Sequence, residues 1–247
     1  MSALCWEESL DRDTSSATAS PKRLSNSSAI SPSARPPQRN IVALSFALNS
    51  VDNTIIYFQD NVGQLIEAAN SAASTTWSIN RTGVGGKNRS TIAAAVSRPD
   101  FPLVISIFYV DANNLIHDIS YTPSTSKWNL GDLSDQGYTT MPNSSLTAMY
   151  SQCNLCANTT IIAFQDENGL VQIGNLASGG WTLTQLGPAL DPDMGAGLIL
   201  QLFYLNRSED QINLYYKKPD LNMSLASWKP AFENNGVLSI IPHPIFC

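Results

Sequence analysis

One unit recurs along this chain, and its recurrence limits the fold more than any other feature. Thr54 to Trp77, TIIYFQDNVGQLIEAANSAASTTW, holds a β-branched and aromatic run, a polar turn with Asp60, Asn61 and Gly63, an apolar pair (Leu65, Ile66) and a tryptophan. Two apolar runs divided by a short glycine-containing turn make a β-hairpin. A lone hairpin cannot bury its apolar face and is marginal in water. Here it returns: VISIFYVDANNLIHDISY (104–121) precedes Trp128, TIIAFQDENGLVQIGNL (160–176) precedes Trp181, and QINLYYKK (211–218) precedes Trp228. The tryptophans are 51, 53 and 47 residues apart. A run of small or apolar residues stands before each hairpin: IVALSFAL (41–48), TIAAAV (91–96), SLTAMY (145–150) and GLILQLFYL (197–205).

A period near 50 residues, with about four strands and an aromatic mark per unit, is the pattern of a β-propeller. The expected fold is all-β: four-stranded antiparallel blades, each starting with a small-residue strand at the crowded axis. Four units are recognisable, and VLSII (237–241) reads as the start of a fifth. The fourth is the weakest, because its third strand is poorly marked around KKPDLNMSLAS. Residues 1–40 differ from the rest. They are rich in serine and proline, lack apolar periodicity and read as a disordered leader before a propeller domain at 41–247.

Charged residues are 14% of the chain, which disfavours helical bundles, and the net charge of −6 gives no electrostatic case for nucleic acid. No apolar run reaches the roughly 18 residues that span a bilayer. The start has no basic segment followed by an apolar stretch, so it does not read as a secretory signal. Seven Asn-x-Ser/Thr sequons, at Asn26, Asn80, Asn88, Asn143, Asn158, Asn206 and Asn222, are compatible with a secretory or cell-surface ancestry. The two signals oppose each other and leave localisation open.

Candidate chemistry is sparse. Cys153 and Cys156 form CNLC, but only His117 and His243 are present to complete a zinc set, so a loop disulfide or two inert thiols are the readings kept. GVGGKNRS (83–90) departs from a phosphate loop, with Arg81 where its first glycine belongs and Asn88 after the lysine, and reads as a turn. Asp60, Asp111 and Asp166 recur at one turn position, which is backbone chemistry; a catalytic carboxylate pair is unique and asymmetric. The chain is therefore not read as an enzyme, and no cofactor or metal is expected.

The repeating order of aromatic pair, Gln-Asp, glycine turn, apolar pair and Glu, then Trp, resembles the fungal fucose-specific lectin family. IIYFQDNVGQLIEAANSAASTTW and IIAFQDENGLVQIGNLASGGW carry the likeness most clearly, over about residues 41–235. The resemblance implies a six-bladed, metal-free propeller that binds fucose-containing glycans between adjacent blades. It implies an arginine on the second strand, a glutamate on the third and aromatic walls in each pocket. The arginine positions are held by Ile55, Ser106, Ile161 and Asn213. Glu67 takes the glutamate position, with His117 and Gln172 as the expected counterparts and Trp77 as a ligand wall or a blade-packing residue. Two readings follow: a lectin with degenerate pockets whose ligand is fucose or fucosylated glycan, or a non-catalytic propeller scaffold for protein contacts that has lost sugar binding. Self-association is left open.

Overall fold

The computed structural model describes residues 41–86, 90–97, 103–123, 125–142, 144–151, 159–177, 180–185, 198–204, 210–217, 223–232 and 238–243. Residues 1–40, where a disordered leader is expected, all four cysteines and every sequon but Asn80 lie outside the described residues.

Among the described residues, four antiparallel sheets of four strands follow one another along the chain, and each is a simple meander. Blade 1 is β1 (Ile41–Leu48), β2 (Val51–Gln59), β3 (Gln64–Ser71) and β4 (Ser78–Gly85). Blade 2 is β5 (Ile92–Val96), β6 (Ile105–Val110), β7 (Ile116–Thr122) and β8 (Lys127–Leu130). Blade 3 is β9 (Leu146–Ser151), β10 (Thr159–Gln165), β11 (Val171–Ala177) and β12 (Gly180–Gln185). Blade 4 is β13 (Leu198–Tyr204), β14 (Asp210–Lys217), β15 (Met223–Phe232) and β16 (Leu238–His243). The first strands of successive blades touch, β1 with β5, β5 with β9 and β9 with β13, which is the propeller arrangement. Small residues permit that approach: Ala93, Ala94 and Ala95 of β5 are all buried.

One hairpin turn is built three times. In blades 1, 2 and 3 the carboxylate of Asp60, Asp111 or Asp166 accepts backbone N–H bonds from residues two and four positions on, at 2.8–3.0 Å. The third residue after each aspartate has positive φ: Gly63 at 86°, Asn114 at 64° and Gly169 at 79°. Glycine takes this left-handed conformation freely and asparagine tolerates it, so the aspartate and the residue three positions on together set the turn.

The core lies in the seams between blades. Ile55, Tyr57 and Leu65 of blade 1 pack with Ile92, Ala94, Ile105, Ile107, Tyr109 and Ile119 of blade 2. Phe108 and Ile116 of blade 2 pack with Leu146, Ile162, Phe164 and Trp181 of blade 3. Strand alternation assigns each hairpin one face to either seam.

Three expectations change. VLSII does not begin a fifth unit: β16 (Leu238–His243) pairs with β15 from Phe232↔Leu238 onward and completes blade 4. Antiparallel partners on both sides make Met223–Phe232 a ten-residue third strand despite its weak pattern, and Trp228 falls inside it opposite Ile212. The GVGGKNRS segment is not all turn, since Gly83–Gly85 extend β4, with a register irregularity between Gln64 and Ile66.

Candidate functional site

Counting from the turn aspartates fixes which residues are equivalent between blades. Leu65, Ile116 and Val171 each stand five residues after the aspartate, and all three are buried. Two positions further on are Glu67, Asp118 and Ile173. His117 and Gln172 are therefore not counterparts of Glu67; they stand at the position of Ile66 and face the opposite side of their blades. Each is bonded to its own turn. His117 Nε2 lies 3.2 Å from Asp111 Oδ2, with its ring stacked on Tyr109 at 5.4 Å. Gln172 donates to Asp166 Oδ2 at 2.8 Å. These contacts stiffen hairpins.

Glu67 sits in a row across three strands, opposite Tyr57 on β2 and Asn80 on β4. The Tyr57 hydroxyl donates to Glu67 Oε2 at 2.9 Å, and the Asn80 amide donates to Oε1 at 3.3 Å. Burial, reinforced by the Glu67 charge and this hydrogen bond, pushes the Tyr57 hydroxyl far above the ordinary tyrosine range, so it remains a donor. A carboxylate has about four lone-pair sites, so two donors leave acceptor capacity on Glu67. Trp128 of blade 2 meets Tyr57 edge to face at 6.1 Å, and Tyr121 stands beside it at 5.1 Å.

The next row on the same face is Ile55, Ala69 and Ser78, and beyond it stand Asn53 and Ser71. These residues line a pocket of about 300 Å³ together with Asn70, Ser74, Thr76 and Trp77. Asn70 holds the rim in place by donating to the Thr76 carbonyl at 2.9 Å. Trp77 is 48% exposed at this rim, whereas Trp128 is half-buried and Trp181 is buried, packing edge to face on Tyr57 and Phe108 respectively. So Trp77 is not a blade-packing residue like those two. The lining combines an apolar floor, one large ring and several hydroxyls and amides, and no charged side chain is among them. Glu67 lies one row inward of the floor. Such a surface suits a small neutral polyol with an apolar patch, its rim supplying hydrogen bonds and its ring and floor covering carbon.

The seam between blades 2 and 3 is built otherwise. Asp118 is 6% exposed, and its carboxylate accepts from the Ser134 N–H and hydroxyl at 3.3 and 3.4 Å. Ser134 belongs to a 3-10 turn, Asp132–Asp135, whose Leu133 is fully buried with Phe108, Ile116 and Trp181. Gly131 passes so close that any β-carbon there would overlap the Asp118 carboxyl group. The chain itself covers the acid of this seam. In the next repeat the position is the buried Ile173, so among these three only Glu67 is an accessible carboxylate.

The sequence matches the fungal fucose-specific lectin family over residues 40–234. The chain belongs to that family. Its fold is shared with the six-bladed propeller lectin of Aleuria aurantia, at 22% identity and a TM-score of 0.65, covering 83% of this chain and 62% of that one. It is also similar to AofleA from Arthrobotrys oligospora, at 16% identity and a TM-score of 0.63, covering 84% and 58%. SapL1 lectin, solved with α-methyl fucoside, matches at 18% identity and a TM-score of 0.62, covering 84% and 63%. This family member thus spans about three fifths of the length of these lectins. No curated protein matches the sequence. Among the described residues no cluster of three His, Cys, Asp or Glu is placed to hold a metal, and no helix is long and apolar enough to cross a membrane.

Of the residues gathered here, Glu67 and Trp77 stand out in the sequence as site candidates and Asn80 only as a sequon, while Tyr57, Asn70 and Asp118 carry no such mark. Asp118 was readable by counting seven residues from the turn aspartate. The rim residues of SAASTTW carry no periodic signal.

Proposed function

We propose that this chain is a non-catalytic carbohydrate-binding protein that holds fucose, or the fucosyl end of a glycan, in the blade 1 pocket facing blade 2. The observation that carries this reading is the half-exposed Trp77 ring at the rim of a pocket floored by Ile55 and Ala69, one row from the accessible carboxylate of Glu67. Family membership and the fucoside bound by SapL1 support it. Fucose is a deoxy sugar: its methyl group suits the apolar floor, while its hydroxyls suit Glu67 and the amide and hydroxyl rim. Ile55 at the arginine position leaves one charged anchor instead of two. Losing a hydrogen bond to a charged group costs about 1.5–3 kcal/mol, roughly ten- to a hundredfold in affinity, and weak binding with a millimolar Kd is the expected result. His117 and Gln172, bonded into their own turns, have no ligand role in this reading.

Calorimetric titration with L-fucose and with L-galactose, which adds a hydroxyl at the methyl carbon, tests the proposal. One site per chain, weaker binding of L-galactose and loss of binding in Glu67→Ala are the expected results. No heat with either sugar, nor with fucosylated oligosaccharides, would leave a propeller scaffold without this activity.

A further inference from the structure

We infer that Asn80 is a carbohydrate-attachment site and that a glycan there closes the Glu67 side of the pocket. The inference rests on the pocket reading above for its second half only. Asn80-Arg81-Thr82 is a sequon, and Asn80 is the one sequon asparagine among the described residues. It is exposed on β4, the outer edge strand of blade 1. Its Nδ2, the atom that glycosylation modifies, is also the atom 3.3 Å from Glu67 Oε1. Thr82, the third residue of the sequon, is buried with its hydroxyl on the Leu65 carbonyl at 3.1 Å, so attachment belongs to the unfolded or emerging chain.

In the attachment step, Asn80 Nδ2 forms a bond to C1 of an oligosaccharide carried on a lipid pyrophosphate. The C1–O bond to pyrophosphate breaks, one amide proton leaves, and the lipid pyrophosphate departs. The product keeps a single N–H on Nδ2. A sugar ring then stands at the carboxylate to which the hydroxyls of an incoming ligand would donate hydrogen bonds, so ligand and glycan compete for the same space. The glycan also shields an edge strand that otherwise presents unpaired backbone groups.

The test uses the full chain made in a bacterial host without this modification and in a secretory yeast host, each as wild type and as Asn80→Gln. Mass spectrometry of the Asn80 peptide reads occupancy, and titration with α-methyl L-fucoside reads binding. The inference expects an occupied Asn80 and wild-type affinity about tenfold or more lower from yeast than from bacteria. It expects no host difference in Asn80→Gln, which retains the other six sequons. An unoccupied Asn80 overturns attachment, and a host difference that persists in Asn80→Gln, or equal affinities with Asn80 occupied, overturns closure. Absence of binding in both hosts defeats the pocket reading and closure together, while the occupancy result stands on its own.

Discussion

Replacing Gly131 with alanine should lower stability by about 1–3 kcal/mol, the usual cost of forcing extra volume into a packed site. The backbone of Gly131 is extended, with φ −96° and ψ 169°, so alanine meets no conformational penalty there. The whole effect is steric, because the added methyl would occupy the space of the Asp118 carboxyl group. Moving that group breaks its bonds to Ser134 and loosens the turn carrying Leu133. For a domain of this size 1 kcal/mol corresponds to about 2–4 °C, so the thermal midpoint should fall by about 2–12 °C. The assay is a double-mutant cycle by thermal and urea unfolding with Asp118→Ser, whose shorter side chain makes room for the methyl. Alanine at 131 should then cost about 1 kcal/mol less than in the wild type. An unchanged midpoint in Gly131→Ala, or an equal cost in both backgrounds, would refute the account of how the blade 2–3 seam is covered.

Burial raises the Asp118 carboxyl above its ordinary range, with the Ser134 and Leu133 hydrogen bonds opposing in part. The fold therefore favours the protonated acid, and this contribution is complete below the unfolded value of about 3.9 and is lost as pH rises through the folded value. The thermal midpoint of the wild type relative to Asp118→Asn should accordingly be highest near pH 3.5 and decline towards pH 7, as read by calorimetry across that range, about 3.5–7. Leu133→Ala removes a fully buried side chain from the same seam and should cost about 2–5 kcal/mol by urea unfolding. Asp166→Ala removes the acceptor for two backbone N–H groups and for Gln172, and should lower stability by about 1–3 kcal/mol in the same assay.

Much of this fold was legible because each blade repeats a local rule. The turn aspartate, the aromatic pair before it and the apolar pair after it are consecutive in sequence, and local chemistry decides them. The site was legible only in part, for reasons of geometry. Side chains alternate across a strand, so a slip of one residue moves a position to the other face. The expected counterparts His117 and Gln172 each stand one residue short of the Glu67 position, which Asp118 and Ile173 hold, and the slip is the same whether the turn carries Asn114 or Gly169. Cover by a distant segment was equally unreadable: nothing in DLSD announces that Leu133 and Ser134 close over Asp118. The tryptophan period placed the blades but not the exposure of each ring, since that depends on what the neighbouring blade presents to it. Pairing overrode pattern at Leu238–His243, where a new partner strand, not a new repeat, uses the apolar run.

The most direct measurement of the central claim is a two-dimensional NMR titration of the five tryptophan indole N–H groups with L-fucose, the Trp77 signal assigned from Trp77→Phe. The account predicts a saturable shift of the Trp77 indole with a millimolar midpoint, a smaller response from Trp128 across the seam, and none from Trp181. A static Trp77 signal at saturating sugar, or a Trp181 shift equal to that of Trp77, would contradict it.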